Sequence, residues 1–216
     1  MIQFLSVAFR NMKTVGTVCP SSPMLSRALA EVVDAAPAPR RILEVGPGTG
    51  PVTREILRKL APGDELDIVE LSPEFCEDLE RRVLGPWRAN GGGHGGGHGA
   101  GRARVTLHNA AIQDVSLEEA SYDCVVCGLP FNNFEFDLVR SIMERMLELL
   151  KPGGELTYFG YVGAKTARRA MSDGAGRDNI AAIERLERDL QLAHAGTRRM
   201  VLANIPPAFV RRLRKP

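Results

Sequence analysis

The sequence predicts an α/β fold, a doubly wound parallel sheet that ends in an antiparallel hairpin. Two observations carry the prediction. Between residues 40 and 160, short apolar runs of strand length alternate with stretches of helical periodicity, and such alternation builds parallel sheets flanked by helices. The first of those runs turns on glycines, Gly46–Pro47–Gly48–Thr49–Gly50, directly before a helical pattern. In a sheet of this kind, ligands sit at such turns, beyond the carboxyl ends of the strands.

The elements follow in order. Arg41–Val45 is the first strand, and Val52, Ile56, Leu57 and Leu60 recur at helical spacing after it. Glu65–Glu70 is the second strand. Ser72–Pro73 starts a helix, a capping side chain ahead of Pro at the first helical position, with Phe75, Leu79 and Val83 on one face. Arg104–Leu107 and Tyr122–Gly128 are the third and fourth strands. Leu138, Val139, Ile142, Met146, Leu149 and Leu150 mark an amphipathic helix that stops at Lys151–Pro152–Gly153–Gly154, and Glu155–Tyr161 is the fifth strand. Arg198–Ala203 and Ala208–Leu213, joined around Pro206–Pro207, form the terminal hairpin. Ahead of the sheet, Ser22–Pro23 opens a helix with Met24, Leu25, Ala28, Leu29, Val32 and Val33 as its apolar positions. Residues 1–18 carry Phe4, Leu5, Ala8, Phe9 and Met12 on one helical face, beside Arg10 and Lys13.

Composition bounds the function. With 216 residues, 44% hydrophobic and 25% charged, the chain makes one domain with a real core, not a disordered, collagenous or coiled-coil protein. No stretch reaches the roughly 20 apolar residues that span a bilayer. The apolar run after Met1 is broken by Arg10 and Lys13, with no cleavage site following, so the expected location is the cytoplasm. The net charge is +2, but it is unevenly placed: residues 1–30 and 196–216 contain basic residues and no acid. Two basic ends point to an anionic partner surface, a membrane or a nucleic acid.

Two features that resemble metal sites are read as something simpler. Cys124 and Cys127 lie three apart in a strand, so their thiols face opposite sides and cannot share an ion. All four cysteines, with Cys19 and Cys76, are expected to be reduced packing residues. His94 and His98 sit within Gly91–Gly101, where eight of eleven residues are glycine. Polyglycine does not hold a helix, so 91–101 is expected to be a flexible insertion, and no metal is assigned.

The glycine turn carries the chemistry. Glycines let the backbone turn sharply and approach a ligand closely. A GxGxxG spacing would indicate a dinucleotide, but position 51 is Pro and the spacing here is GxGxG. Glu44, two residues before the first glycine, suits a cationic ligand better than a phosphate. Glu70 ends the second strand, where a carboxylate can accept both hydroxyls of a ribose. This E-x-G-x-G-x-G pattern resembles the first motif of class I S-adenosylmethionine methyltransferases. The resemblance implies a Rossmann-like fold and S-adenosylmethionine as cofactor, held by Glu44, Gly46, Gly48, Gly50, Glu70 and Leu71. That family commonly places an acid after the third strand, near the adenine. Here Asn109–Ala110–Ala111–Ile112 stands in its place, which leaves the backbone of Ala111 and Ile112 for that contact, with Gly128 and Leu129 completing the cofactor set.

A narrower resemblance follows from three further segments. Methyltransferases of the rRNA adenine type resemble the stretch Gly128–Leu129–Pro130–Phe131, yet carry Asn or Asp where this chain has Gly128, so the target amine's usual acceptor is missing. Thr14–Val15–Gly16–Thr17–Val18–Cys19–Pro20–Ser21–Ser22, Gly128–Leu129–Pro130 and Asn204–Ile205–Pro206–Pro207–Ala208 together resemble bacterial phospholipid N-methyltransferases. That family methylates phosphatidylethanolamine stepwise, and related enzymes methylate ornithine lipids. The implied domain arrangement is residues 1–36 as helices that contact the membrane or form a lid, and 37–216 as the S-adenosylmethionine-binding domain. The implied substrate is an aminolipid on the inner, anionic face of the cell membrane, reached by Phe4, Leu5, Phe9, Arg10 and Lys13 as an interfacial helix. Tyr158 and Tyr161 are expected to orient the amine, and with Phe134 to stabilise the methylated ammonium through cation–π contact. The proton leaves the amine to water or to a nearby hydroxyl. Two alternatives remain: an rRNA adenine N-methyltransferase, and a non-enzymatic S-adenosylmethionine-binding protein.

Overall fold

A computed structural model describes residues 21–92, 102–162 and 174–216. Residues 1–18, with the expected interfacial helix and its Phe4, Leu5, Phe9, Arg10 and Lys13, lie outside the described residues, as do Cys19, His94 and His98. Strands β1 (Arg41–Val45), β2 (Glu65–Glu70), β3 (Arg104–Asn109), β4 (Tyr122–Cys127), β5 (Leu150–Tyr161), β6 (Thr197–Val201) and β7 (Ala208–Arg214) form one sheet in the order β3-β2-β1-β4-β5-β7-β6. The first five run parallel; β7 lies antiparallel between β5 and β6, with Tyr161 and Val201 both opposite Ala208. The fold is the doubly wound α/β sheet expected, and the terminal hairpin is present.

Helices cover both faces. Helix α1 (Pro23–Ala30) starts with Pro23 behind Ser22, whose hydroxyl accepts from the Leu25 N–H at 3.2 Å. Its Leu25 and Leu29, with Val32 and Val33 just beyond, share one core with Ile42, Val126 and Phe159. Helices α2 (Pro51–Lys59), α3 (Pro73–Leu79) and α4 (Gly85–Ala89) lie on that same face. A π-helical turn, Glu80–Leu84, joins α3 to α4. Opposite them, α5 (Phe136–Leu149) and α6 (Gly174–Ala193) enclose a second core with Leu43, Val45, Val125 and Leu156. Cys124 belongs to the first core and Cys127 to the second, as the strand alternation requires. Both are free, and burial pushes each thiol up to about 12.

At the amino ends of the strands a buried ion pair fixes β1 against β2. The Arg40 guanidinium donates to Asp64 at 2.6 Å and to the carbonyls of Val33 and Lys59. Asp64 also accepts from the Arg40 and Ala61 N–H groups. Burial alone would raise this carboxyl, but the Arg40 and backbone donors outweigh it and hold it below the usual carboxylate range. The opposite end of the strands carries the cleft.

Two elements depart from the sequence expectation. Lys151–Pro152–Gly153–Gly154 does not end a helix in a turn. β5 already begins at Leu150, and the segment is an irregularity in its pairing with β4, between Tyr122↔Leu150 and Cys124↔Glu155. Gly153, at φ +77°, takes the left-handed backbone that this detour needs. Helix α6 has no counterpart in the sequence reading, although Ile180 and Ile183 recur at helical spacing.

Candidate active site

The cleft forms where β1, β2, β3 and β4 end. The Gly46 N–H donates to the Val69 carbonyl and the Gly128 N–H to the Val45 carbonyl, so both loops spring from the sheet with fixed geometry. Gly46, Gly48 and Gly50 sit at φ +69°, +56° and +80°, a region open to glycine at little cost. Their surroundings differ. A Cβ on Gly46 would lie 2.2 Å from Leu129 Cδ2, and one on Gly50 2.5 Å from Leu79 Cδ1, whereas one on Gly48 would meet nothing within 4 Å. The loop is thus packed at its two ends and open at its middle glycine. Gly128 has its own steric reason: a Cβ there would stand 2.5 Å from the Gly46 carbonyl oxygen. The side chain that base methyltransferases carry at this position has no room in this backbone.

Two buried carboxylates define the electrostatics. Glu44 is fully enclosed and neither carboxylate oxygen has a hydrogen-bond partner. Burial is the main cause that pushes it up to about 8, opposed by the nearby Thr53 hydroxyl and reinforced by the Glu70 charge. Thr53 influences the carboxyl without closing a hydrogen bond to it, since its own oxygen is also unpaired. Glu70, 1% exposed, accepts from the Gly48 N–H at 3.1 Å and the Ser72 N–H at 2.8 Å, tying the glycine loop to the start of α3. Burial raises its pKa, and these backbone donors pull it back. Asn109 donates to the carbonyls of Glu70 and Leu71, which fixes the backbone where the expected acid is absent.

An apolar pocket opens beside this loop, lined by Gly46, Leu71, Ala111, Ile112, Leu129 and Phe134 among others. The sequence singled out each of these six. Ile142 of α5 closes the same pocket and was read only as a helix-face residue. Phe134 stands 6.4 Å from Phe131, ring to ring, and Phe131 stands 5.9 Å from Tyr158. Tyr158 and Tyr161 do not come together. Three residues apart in β5, they face opposite sides: Tyr158 joins the core with Phe131, and Tyr161 packs edge-on to Phe159, 5.2 Å away. The expectation that both address one amine therefore fails on strand alternation. The Tyr158 hydroxyl is buried without a hydrogen-bond partner. Its pKa is raised by burial first and then by the Glu187 charge, against the Arg211 guanidinium. That guanidinium, 3.3 Å from Glu187, lies 5.8 Å from the ring centre.

These features suit S-adenosylmethionine. The chemistry fits: an unpaired buried carboxylate suits its cationic end, the Glu70 carboxylate at the end of β2 suits ribose hydroxyls, and an apolar slot between Leu71, Ile112 and Leu129 suits a flat base. The fold and this cleft define a class I S-adenosylmethionine-dependent methyltransferase. Over residues 42–154, just over half its length, the chain matches the family described as methyltransferase domain, and it belongs to that family. S-adenosylmethionine is the cofactor.

Among curated proteins, the chain is 29% identical over 173 residues to an ornithine lipid N-methyltransferase of Singulisphaera acidiphila, covering 79% of this chain and 84% of that one. It is 27% identical over 110 residues to a tRNA (adenine(58)-N(1))-methyltransferase of Thermus thermophilus, covering 51% of this chain and 38% of the other. Among solved structures, the N-methyltransferase NodS of Bradyrhizobium japonicum superposes with a TM-score of 0.60 at 18% identity, over 88% of this chain and 94% of that one. An O-methyltransferase of Bacillus cereus in complex with S-adenosylhomocysteine reaches 0.62 at 16%, over 99% and 91%. These likenesses bear on the fold.

Proposed function

We propose that the protein methylates the amino group of a membrane lipid headgroup, an ornithine lipid or phosphatidylethanolamine, stepwise. The observation that carries this reading is the similarity to an ornithine lipid N-methyltransferase along most of both chains. Gly128 supports it, because the backbone leaves no room there for the side chain with which base methyltransferases hold a nucleobase amine. S-adenosylmethionine supplies an already activated methyl group. The chain's own task is to hold a neutral amine in line with it and to exclude water. Glu44 and Glu70 fix the cofactor, and the backbone at Ala111 and Ile112 borders its base. Phe134, which lines the pocket, is the aromatic group nearest this task and favours the methylated ammonium by about 0.5–2 kcal/mol. The enzyme works at the inner, anionic membrane surface, where residues 1–18 bring it to its substrate. No helix among the described residues is long and apolar enough to cross a membrane.

Tyr158 packs against Phe131, which in turn packs against Phe134. Tyr158→Phe, which removes only a buried unpaired hydroxyl, is expected to leave kcat within about twofold and to hold or raise the melting temperature. A large fall in kcat at unchanged stability would restore the hydroxyl to the amine. The function itself is tested with methyl-labelled S-adenosylmethionine, offered with vesicles containing each aminolipid or with rRNA, followed by chloroform extraction. Label in the organic phase supports the reading. Label retained by RNA replaces it, and label in neither removes the transfer reaction.

A further inference from the structure

The turn between β6 and β7 is an unusual surface for a water-soluble face. Ile205 is 85% exposed and Leu202 72%, and two prolines follow at 206 and 207. The turn is nevertheless held in place. The Asn204 side-chain amide donates to the Pro206 carbonyl, its oxygen accepts from the Ser22 N–H, and the Val162 N–H donates to the Pro207 carbonyl. An ordered turn that exposes large aliphatic side chains is a mark of a binding surface.

Its position says what it meets. Because β7 starts opposite Tyr161, the carboxyl end of β5, the turn sits at the same end of the sheet as the cofactor cleft. The Ser22–Asn204 bond brings the start of α1 to it, and Met24, 55% exposed, lies there as well. Basic groups stand behind these apolar residues. Arg198 lies 4.3 Å over the ring of Phe209, the residue after Ala208, and Arg27, one helical turn after Met24, has a side chain 67% exposed that stands 3.7 Å from Glu55. Aliphatic tips with cations further back along β6 and α1 match the layering of an anionic bilayer, hydrocarbon below and phosphate above.

We infer that Leu202 and Ile205, with Met24 beside them, form a second membrane contact that dips into the interface and sets the cleft facing the lipid surface. This rests on the lipid reading above and adds to it an anchor within the folded domain. It is tested by flotation with vesicles of phosphatidylcholine plus phosphatidylglycerol, and of phosphatidylcholine alone, without any turnover. The full-length double variant Leu202→Asp/Ile205→Asp is expected to bind S-adenosylhomocysteine normally and to partition about tenfold more weakly, since two exposed aliphatic anchors are lost. Unchanged partitioning of the variant overturns the proposal, as does a wild type that fails to float. A drop in melting temperature with unchanged flotation also overturns it, since the turn would then be covered by the chain itself. Because flotation needs no methyl transfer, absence of labelled lipid in the earlier assay leaves this result separately readable.

Discussion

Glu44→Gln is expected to weaken S-adenosylmethionine binding at pH 8 by about ten- to a hundredfold and to raise the melting temperature of the ligand-free protein at the same pH. The reason lies in the unpaired, fully buried carboxylate. Its pKa is about 8 in the folded chain against 4.5 for the ordinary group. Between those values the unfolded chain has released this proton while the folded chain retains it. Stability therefore falls as pH rises through that window and levels off above about 8. Gln removes this contribution, so the variant's stability varies less with pH. A cation placed against Glu44 favours the carboxylate, which means that binding at pH 7 expels a proton and wild-type affinity climbs from pH 6 to 8. Calorimetry in buffers of different ionisation enthalpy reads that proton directly. No proton release, with equal affinities for wild type and variant, would place the cationic end of the cofactor elsewhere.

Gly128→Ala is expected to cost about 1–3 kcal/mol of stability and most of the cofactor affinity. The added methyl would stand 2.5 Å from a backbone oxygen of Gly46, and a backbone carbonyl cannot turn aside as a side-chain tip can. Relief requires β1 and β4 to separate at the point where the cleft is built. Gly48→Ala is the comparison: its φ is +56° but its Cβ meets nothing within 4 Å, so only backbone strain of about 1 kcal/mol acts on the ligand-free protein. Chemical denaturation of both variants ranks them. If Gly48→Ala proves the more damaging, the crossing of the two loops is softer than its geometry implies.

The parallel strands were legible because their residues carry little besides burial. Ile42, Leu43, Ile68, Val125 and Val126 are apolar and enclosed on both faces, and the limits of β1 and β2 agree with the expected ones. The glycine loop was legible for a related reason, since few other residues tolerate that backbone. Helix α6 was not. Its inward face includes Glu187, buried beside Arg211, which breaks the apolar stripe that would have marked it. The pairing partner lies on β7, and nothing local signals it. The segment 150–154 misled for the opposite reason: Pro and two glycines imitate a turn, while the pairing of Leu150 with Tyr122 and the hydrogen bonds of Gly153 and Gly154 to the Lys215 backbone hold them within β5. Tyr158 and Tyr161 could have been separated by the same alternation that separated the two strand cysteines. Gly128's close approach to Gly46 depends on two loops distant in sequence, and only the fold reveals it.

The hydrogen bond between Ser22 and Asn204 spans 182 positions of the chain. A residue ahead of the first strand thus waits for one in the terminal hairpin. Until the closing hairpin has been synthesised, β5 is an unprotected border of the sheet, open to pairing with a foreign strand. Contacts of such long range also slow folding. A nascent chain of this protein must therefore remain immature until β6 and β7 have been made, and a fragment lacking β7 will be more prone to aggregate than to function.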